Sequence, residues 1–185
     1  MPSGIVLAGG AGRRMGRPKG PLLLDGRPLA AIAGEILSVM CDYVVVVTRP
    51  EIPLPAIPSS LRTIYDQAGP DAPLTGIVTG LAAVPGGDVL VLACDMPTAG
   101  PAVAALAAAP AGRAVVATAA GRVQPLCARY PRCEALAAGL ALLGSDETRA
   151  IALADALGAE PVAVPASALA NLNTPADLAA VSWTA

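Results

Sequence analysis

No histidine occurs anywhere in the 185 residues, and that absence narrows the chemistry before any motif is read. It excludes Ser-His-Asp and Cys-His nucleophiles, histidine-ligated zinc and a histidine general base together. Phenylalanine is also missing, tryptophan occurs once and aromatics make up only 2% of the chain, so Ala, Leu and Val must build the core. Charge is sparse at 14%, with a net value of −2, which leaves no bulk attraction for nucleic acid. Low charge combined with 55% hydrophobic residues excludes disorder. The four cysteines (Cys41, Cys94, Cys127, Cys133) form no CxxC pair, which favours buried free thiols in a reducing compartment over disulfides or zinc. No secretory signal is visible, because the apolar start precedes Arg13 and Arg14 rather than following them. The most apolar stretch, Pro73 to Pro97, is interrupted by Pro85-Gly86-Gly87-Asp88 and cannot span a bilayer as one helix. These absences predict a cytoplasmic protein with no membrane or nucleic-acid partner, folded as a single domain over residues 1–185.

What is present is an alternation of short apolar runs with longer Ala- and Leu-rich stretches. Strands are expected at Gly4–Ala8, Tyr43–Thr48, Arg62–Tyr65, Asp88–Ala93, Ala114–Thr118, Gln124–Tyr130 and Glu160–Val164. The four valines of Val44 to Val47 suit a strand buried on both faces. Helices are expected at Pro28–Met40, Thr75–Val84, Pro101–Ala109, Arg132–Leu143, Glu147–Leu157 and Pro175–Val181, the last with Thr174 as N-cap. Ala114–Thr118 and Gln124–Tyr130 lie close enough in sequence to pair as a hairpin. The pattern predicts an α/β fold, a three-layer α/β/α sandwich on a Rossmann-like, mostly parallel sheet with one antiparallel strand.

The segment Leu7 to Lys19, L-A-G-G-A-G-R-R-M-G-R-P-K, follows the first strand directly, where open α/β sheets place ligands. Gly9, Gly10, Gly12 and Gly16 let backbone approach an anion, and successive N–H groups form a concave donor surface for phosphate. Arg13, Arg14, Arg17 and Lys19 concentrate positive charge there, and Lys19 is the only lysine in the chain. The spacing is neither G-x-G-x-x-G, since Met15 holds the third glycine position, nor a Walker loop, since Gly20 follows Lys19. Asp95 closes an apolar strand in Val89-Leu90-Val91-Leu92-Ala93-Cys94-Asp95-Met96-Pro97, where an unpartnered carboxylate is costly. Mg²⁺ shared with substrate phosphates would satisfy it; a turn aspartate is the alternative.

This loop resembles the signature of the molybdenum cofactor guanylyltransferases (molybdopterin-guanine dinucleotide synthases), a branch of the nucleotide-diphospho-sugar-transferase-like fold. Related cytidylyltransferases usually carry L-A-A-G, whereas Leu7-Ala8-Gly9-Gly10 matches the guanylyl branch. Similarity continues through Asp66, Pro73-Leu74-Thr75-Gly76, Cys94-Asp95-Met96-Pro97, Gln124-Pro125-Leu126 and Asn171-Leu172-Asn173-Thr174-Pro175. One departure is clear: the family's guanine-contacting Asn after the second long strand is replaced by Thr48, followed by Arg49.

The resemblance implies Mg²⁺-dependent transfer of GMP from GTP to molybdopterin with release of pyrophosphate. Arg14, Lys19 and Asp95 would be catalytic, with Asp95 holding the metal. Leu7, Ala8, Gly9, Gly10, Gly12, Lys19, Thr48, Asp66, Gly76 and Asp95 would bind the nucleotide, and Gln124, Asn171 and Asn173 the acceptor. Enzymes that make or receive the cofactor are the implied partners. A cytidylyltransferase, a transferase acting on a sugar phosphate or small alcohol phosphate, and a non-catalytic nucleotide-binding module remain as alternatives.

Overall fold

The structure, a computed structural model, describes residues 1–10, 12, 16–54, 57–66 and 71–180. Seven strands form one sheet in the order β5-β4-β1-β6-β8-β7-β9. They are β1 (Ser3–Leu7), β4 (Tyr43–Thr48), β5 (Arg62–Tyr65), β6 (Asp88–Ala93), β7 (Val115–Ala119), β8 (Arg122–Pro131) and β9 (Glu160–Ala163). A separate two-stranded hairpin pairs β2 (Leu23–Leu24) with β3 (Arg27–Pro28). Every pairing in the large sheet is parallel except those of β8, which runs antiparallel to both β6 and β7.

Alternation along the central strands sorts the core into two layers. Val6, Val44, Val46, Leu90 and Leu92 face α1 (Leu29–Ser38) and α3 (Gly100–Ala108). Ile5, Val45, Val47, Val89 and Val91 face α2 (Pro73–Ala83), α4 (Arg132–Gly144) and α5 (Ala150–Ala156). A continuous run such as Val44–Val47 is therefore used twice, once on each face, as a parallel sheet covered on both sides requires. With so few aromatics, the helices sit close to the sheet: a Cβ on Gly80 of α2 would fall 2.7 Å from Ile5.

The expected elements are all found, with ends shifted by a few residues. Pro28 sits at the N-cap of α1, one position before the first turn expected for it. The β7–β8 hairpin is tight: Ala119 pairs with Arg122, and the two residues between them, Ala120 and Gly121, have φ of 49° and 73°. Two positive φ values match the twist of a two-residue hairpin, which explains why the connection is short despite an alanine at a strained position. At the end of the chain, α6 (Pro175–Ala180) is capped as expected, with the Asp177 N–H donating to Thr174 Oγ1 at 3.2 Å. Val181, where that helix was expected to end, lies outside the described residues.

A cysteine expectation needs correction. Cys41, Cys94 and Cys127 are buried and free, but Cys133 is exposed. It lies in the first turn of α4, on the outer face of a helix with few buried positions.

Candidate functional site

From β1 the chain moves through α1 to β4 on one side, whereas from β6 it moves through α3 to β7 on the other. Neighbouring strands that depart in opposite directions leave a crevice beyond their carboxyl ends. Leu7 and Cys94 meet there, with the Cys94 N–H donating to the Leu7 carbonyl at 3.1 Å. A cleft of about 410 Å³ opens above them. Its floor includes Leu7, Gly9, Gly10 and Gly12; Lys19 and Asp95 form one flank, and Thr48, Arg49, Asp66 and Asp71 the other.

Gly12 is required where it stands. Its φ is +58°, and a Cβ there would lie 1.9 Å from the Arg17 carbonyl oxygen. The Lys19 N–H donates to the Gly10 carbonyl at 3.4 Å, which folds the loop back over the strand end. Ala8 takes a different part from the one expected. It is fully buried, is not among the cleft-lining residues, and its N–H donates to Val47 O at 2.8 Å, so that donor belongs to the sheet.

The Lys19 ammonium lies 2.6 Å from Asp95 Oδ2 and 2.7 Å from Asn173 Oδ1. Three segments far apart in sequence thus converge on one nitrogen. An ammonium has three donors, so two are engaged by these partners and a third can take a phosphate oxygen. Asp95 Oδ1 is buried without a hydrogen-bond partner. A carboxylate oxygen left so is costly unless a donor or cation completes it. The C-terminal segment is held at this point by the Leu172 N–H, which donates to the Asp95 carbonyl at 2.8 Å. Asn173 and Thr174 in turn donate their N–H groups to Asp177 Oδ2, each at 2.8 Å. Those backbone donors, with the Thr174 hydroxyl, hold the Asp177 carboxyl below its ordinary range.

On the opposite flank, Thr48 is buried and its hydroxyl donates to the Ile52 carbonyl at 3.3 Å, which commits its proton to the turn after β4. Asp66 accepts from Thr79 at 3.2 Å, and burial raises its carboxyl above the ordinary value. Gly76 lines the cleft from α2, close against Leu7. Arg49 and Asp71, neither of which was chosen from sequence, form an ion pair at 3.0 Å inside the cleft. The available signal was an acidic residue interrupting the Gly-Pro-Leu pattern. Gln124 and Asn171 do not line the cleft; from β8, Leu126 does. The antiparallel course of β8 brings its first half, rather than its end, to this edge of the sheet. Arg14 lies outside the described residues.

Residues 4–160 match the family described as MobA-like NTP transferase domain. The chain belongs to that family. Among its MobA-like relatives, a protein of Cereibacter sphaeroides named molybdenum cofactor guanylyltransferase is 38% identical, the match covering 95% of this chain and 93% of that one. The crystal structure of a molybdopterin-guanine dinucleotide biosynthesis protein A from Archaeoglobus fulgidus has a TM-score of 0.74 at 23% identity, covering 96% and 95% of the two chains. A Thermus thermophilus 2-C-methyl-D-erythritol 4-phosphate cytidylyltransferase has a TM-score of 0.71 at 19% identity, covering 97% of each. The fold is therefore shared by nucleotidyltransferases with different bases and acceptors. Among the described residues no helix is long and apolar enough to cross a membrane.

Proposed function

We propose that this MobA-like chain transfers GMP from GTP to the terminal phosphate of molybdopterin and releases pyrophosphate. The observation that carries the reading is the Lys19–Asp95 pair across the β1/β6 crevice, with one buried Asp95 oxygen unsatisfied. A cation and an anion-binding loop on the same strand edge suit a metal-chelated triphosphate. Names of the relatives at high coverage favour guanine as the base and molybdopterin as the acceptor.

Asp95 is the residue that would hold Mg²⁺. Among the described residues no cluster of three or more Asp, Glu, Cys or His side chains gathers around Asp95 or anywhere else, so substrate oxygens would have to complete the shell. When bound, the ion would neutralise charge on the triphosphate. The remaining work falls to protein groups. The Gly9, Gly10 and Gly12 backbone cradles the tail, and Lys19, oriented by Asp95 and Asn173, directs its third donor at a phosphate oxygen. Arg14 is assigned to the departing pyrophosphate by its place in the loop. The acceptor is a phosphate monoester, whose second pKa near ~6 leaves it largely deprotonated at neutral pH. No general base is needed, which agrees with a chain that has no histidine. Acceleration then comes from alignment and from stabilising charge on the leaving pyrophosphate.

The direct test is pyrophosphate release by the purified protein given GTP, molybdopterin and Mg²⁺. Release with GTP and not with CTP supports the proposal; release with CTP alone overturns it. Loss of release on chelation of divalent ions, with recovery on adding Mg²⁺, supports the metal assignment.

A further inference from the structure

We propose that Asp71, oriented by Arg49, selects the guanine base. The inference rests on the GTP reading above and supplies the contact that reading lacks. Thr48 replaces the family's asparagine, but its hydroxyl proton is committed to Ile52 O, and Asp66 accepts from Thr79. Thr48 carries a single oxygen and Asp66 is only 9% exposed, so neither presents an open carboxylate face to a base.

Asp71 does. It stands immediately before Ala72, the N-cap of α2, and lines the cleft. Arg49 Nη1 grips Asp71 Oδ1 at 3.0 Å, while Arg49 Nε is itself held by Glu51 at 2.8 Å. The guanidinium is therefore anchored from two sides and fixes the direction of the Asp71 carboxylate. With 45% of its side chain exposed, Asp71 keeps an open face toward the cleft. A carboxylate accepts about four hydrogen bonds, so one from Arg49 leaves room for two more.

Position supports the same assignment. The β4 and β6 ends lie on either side of β1, about 10 Å apart at ordinary strand spacing. A nucleotide whose tail runs from the glycine loop toward Asp95 carries its base over the end of β4, where Arg49 and Asp71 are. Among the common bases, only guanine presents two adjacent donors, N1–H and the N2 amino group, on its Watson–Crick edge. Adenine and cytosine present an acceptor beside their amino group, which a carboxylate repels. Uracil offers a single donor between two carbonyls.

The experiment is equilibrium binding of GTP, ITP, CTP and inorganic tripolyphosphate to the full chain and to Asp71→Ala, Asp71→Asn and Arg49→Lys. ITP lacks only the N2 amino group. The wild-type protein should prefer GTP over ITP by about tenfold or more, as a site built for that donor does. Both Asp71 variants should lose roughly ten- to a hundredfold in GTP affinity, with the GTP-to-ITP ratio falling toward one. Arg49→Lys should lower the ratio part of the way, as expected of a positioning residue. In the two Asp71 variants tripolyphosphate affinity should stay within about twofold, because Asp71 is not part of the glycine loop; Arg49 packs against Gly9 and serves no such control. A wild-type ratio preserved in both Asp71 variants overturns this inference and leaves the guanylyl reading standing. A wild-type protein that prefers CTP to GTP overturns both.

Discussion

Lys19 is one side chain asked to do two things, and its neighbours decide which dominates. Side-chain exposures of 17% and 15% place the Lys19–Asp95 pair between surface and core, where removing one partner strands the other. Lys19→Ala should reduce pyrophosphate release by about 10²- to 10³-fold, the scale for losing one donor aimed at developing charge. Asp95→Asn can still accept from Lys19 but carries no charge for a cation. It should raise the Mg²⁺ concentration for half-maximal release by at least about tenfold, which a metal titration of the rate measures. Gly12→Ala tests the loop itself. The left-handed conformation alone costs about 1–2 kcal/mol for an L residue, and the Arg17 carbonyl stands where the methyl would go. GTP affinity should fall sharply, and the thermal midpoint should drop by a few degrees, the size that cost implies.

At the scale of elements, the C-terminal segment shows how a short helix serves a site it does not enter. The N-terminal cap of α6 engages the backbone N–H groups of Asn173 and Thr174, the same stretch that brings Asn173 to Lys19. Asp177 has its folded-state carboxyl held below the ordinary value of 3.8, mainly by the Asn173 N–H and then by Thr174. A depressed folded pKa means that the charged form stabilises the cap above the ordinary value, and this is lost as pH falls through the folded one. The protection factors of the Asn173 and Thr174 amides should therefore fall only in acid below about pH 4, and should be low at every pH in Asp177→Ala. The α2–sheet contact is the complementary case. Gly80→Val would drive a branched side chain into Ile5 and should cost about 1–3 kcal/mol, read as a shift in denaturant midpoint.

Over the whole molecule, two apolar layers sandwich the sheet and leave three of the four thiols out of reach. Burial raises the Cys41 and Cys127 thiols to about 12, and raises Cys94 as well. The thiolate is the reactive species, so burial and protonation protect these three together. Native protein treated with a thiol reagent should label at Cys133 alone by mass spectrometry, and all four should label after denaturation.

The sheet, its helices and the glycine requirement of the loop after β1 were legible in the sequence because each rests on local chemistry. Apolar runs such as Val44–Val47 need burial on both faces, and Gly12 sits where only glycine fits. Asp95 could be singled out because a carboxylate at the end of an apolar strand requires a partner wherever the strand lies. Which partner was a tertiary matter: Lys19 is 76 positions away and Asn173 is 154 positions from Lys19, and no spacing rule links them. Likewise, an antiparallel strand brought Leu126 rather than Gln124 to the cleft, and a turn claimed the Thr48 hydroxyl. The pairing of Arg49 with Asp71 across 22 positions arose only when β4 and α2 were set side by side. Local sequence determines which groups cannot remain alone in the folded chain; the packing of distant strands decides which group answers each of them.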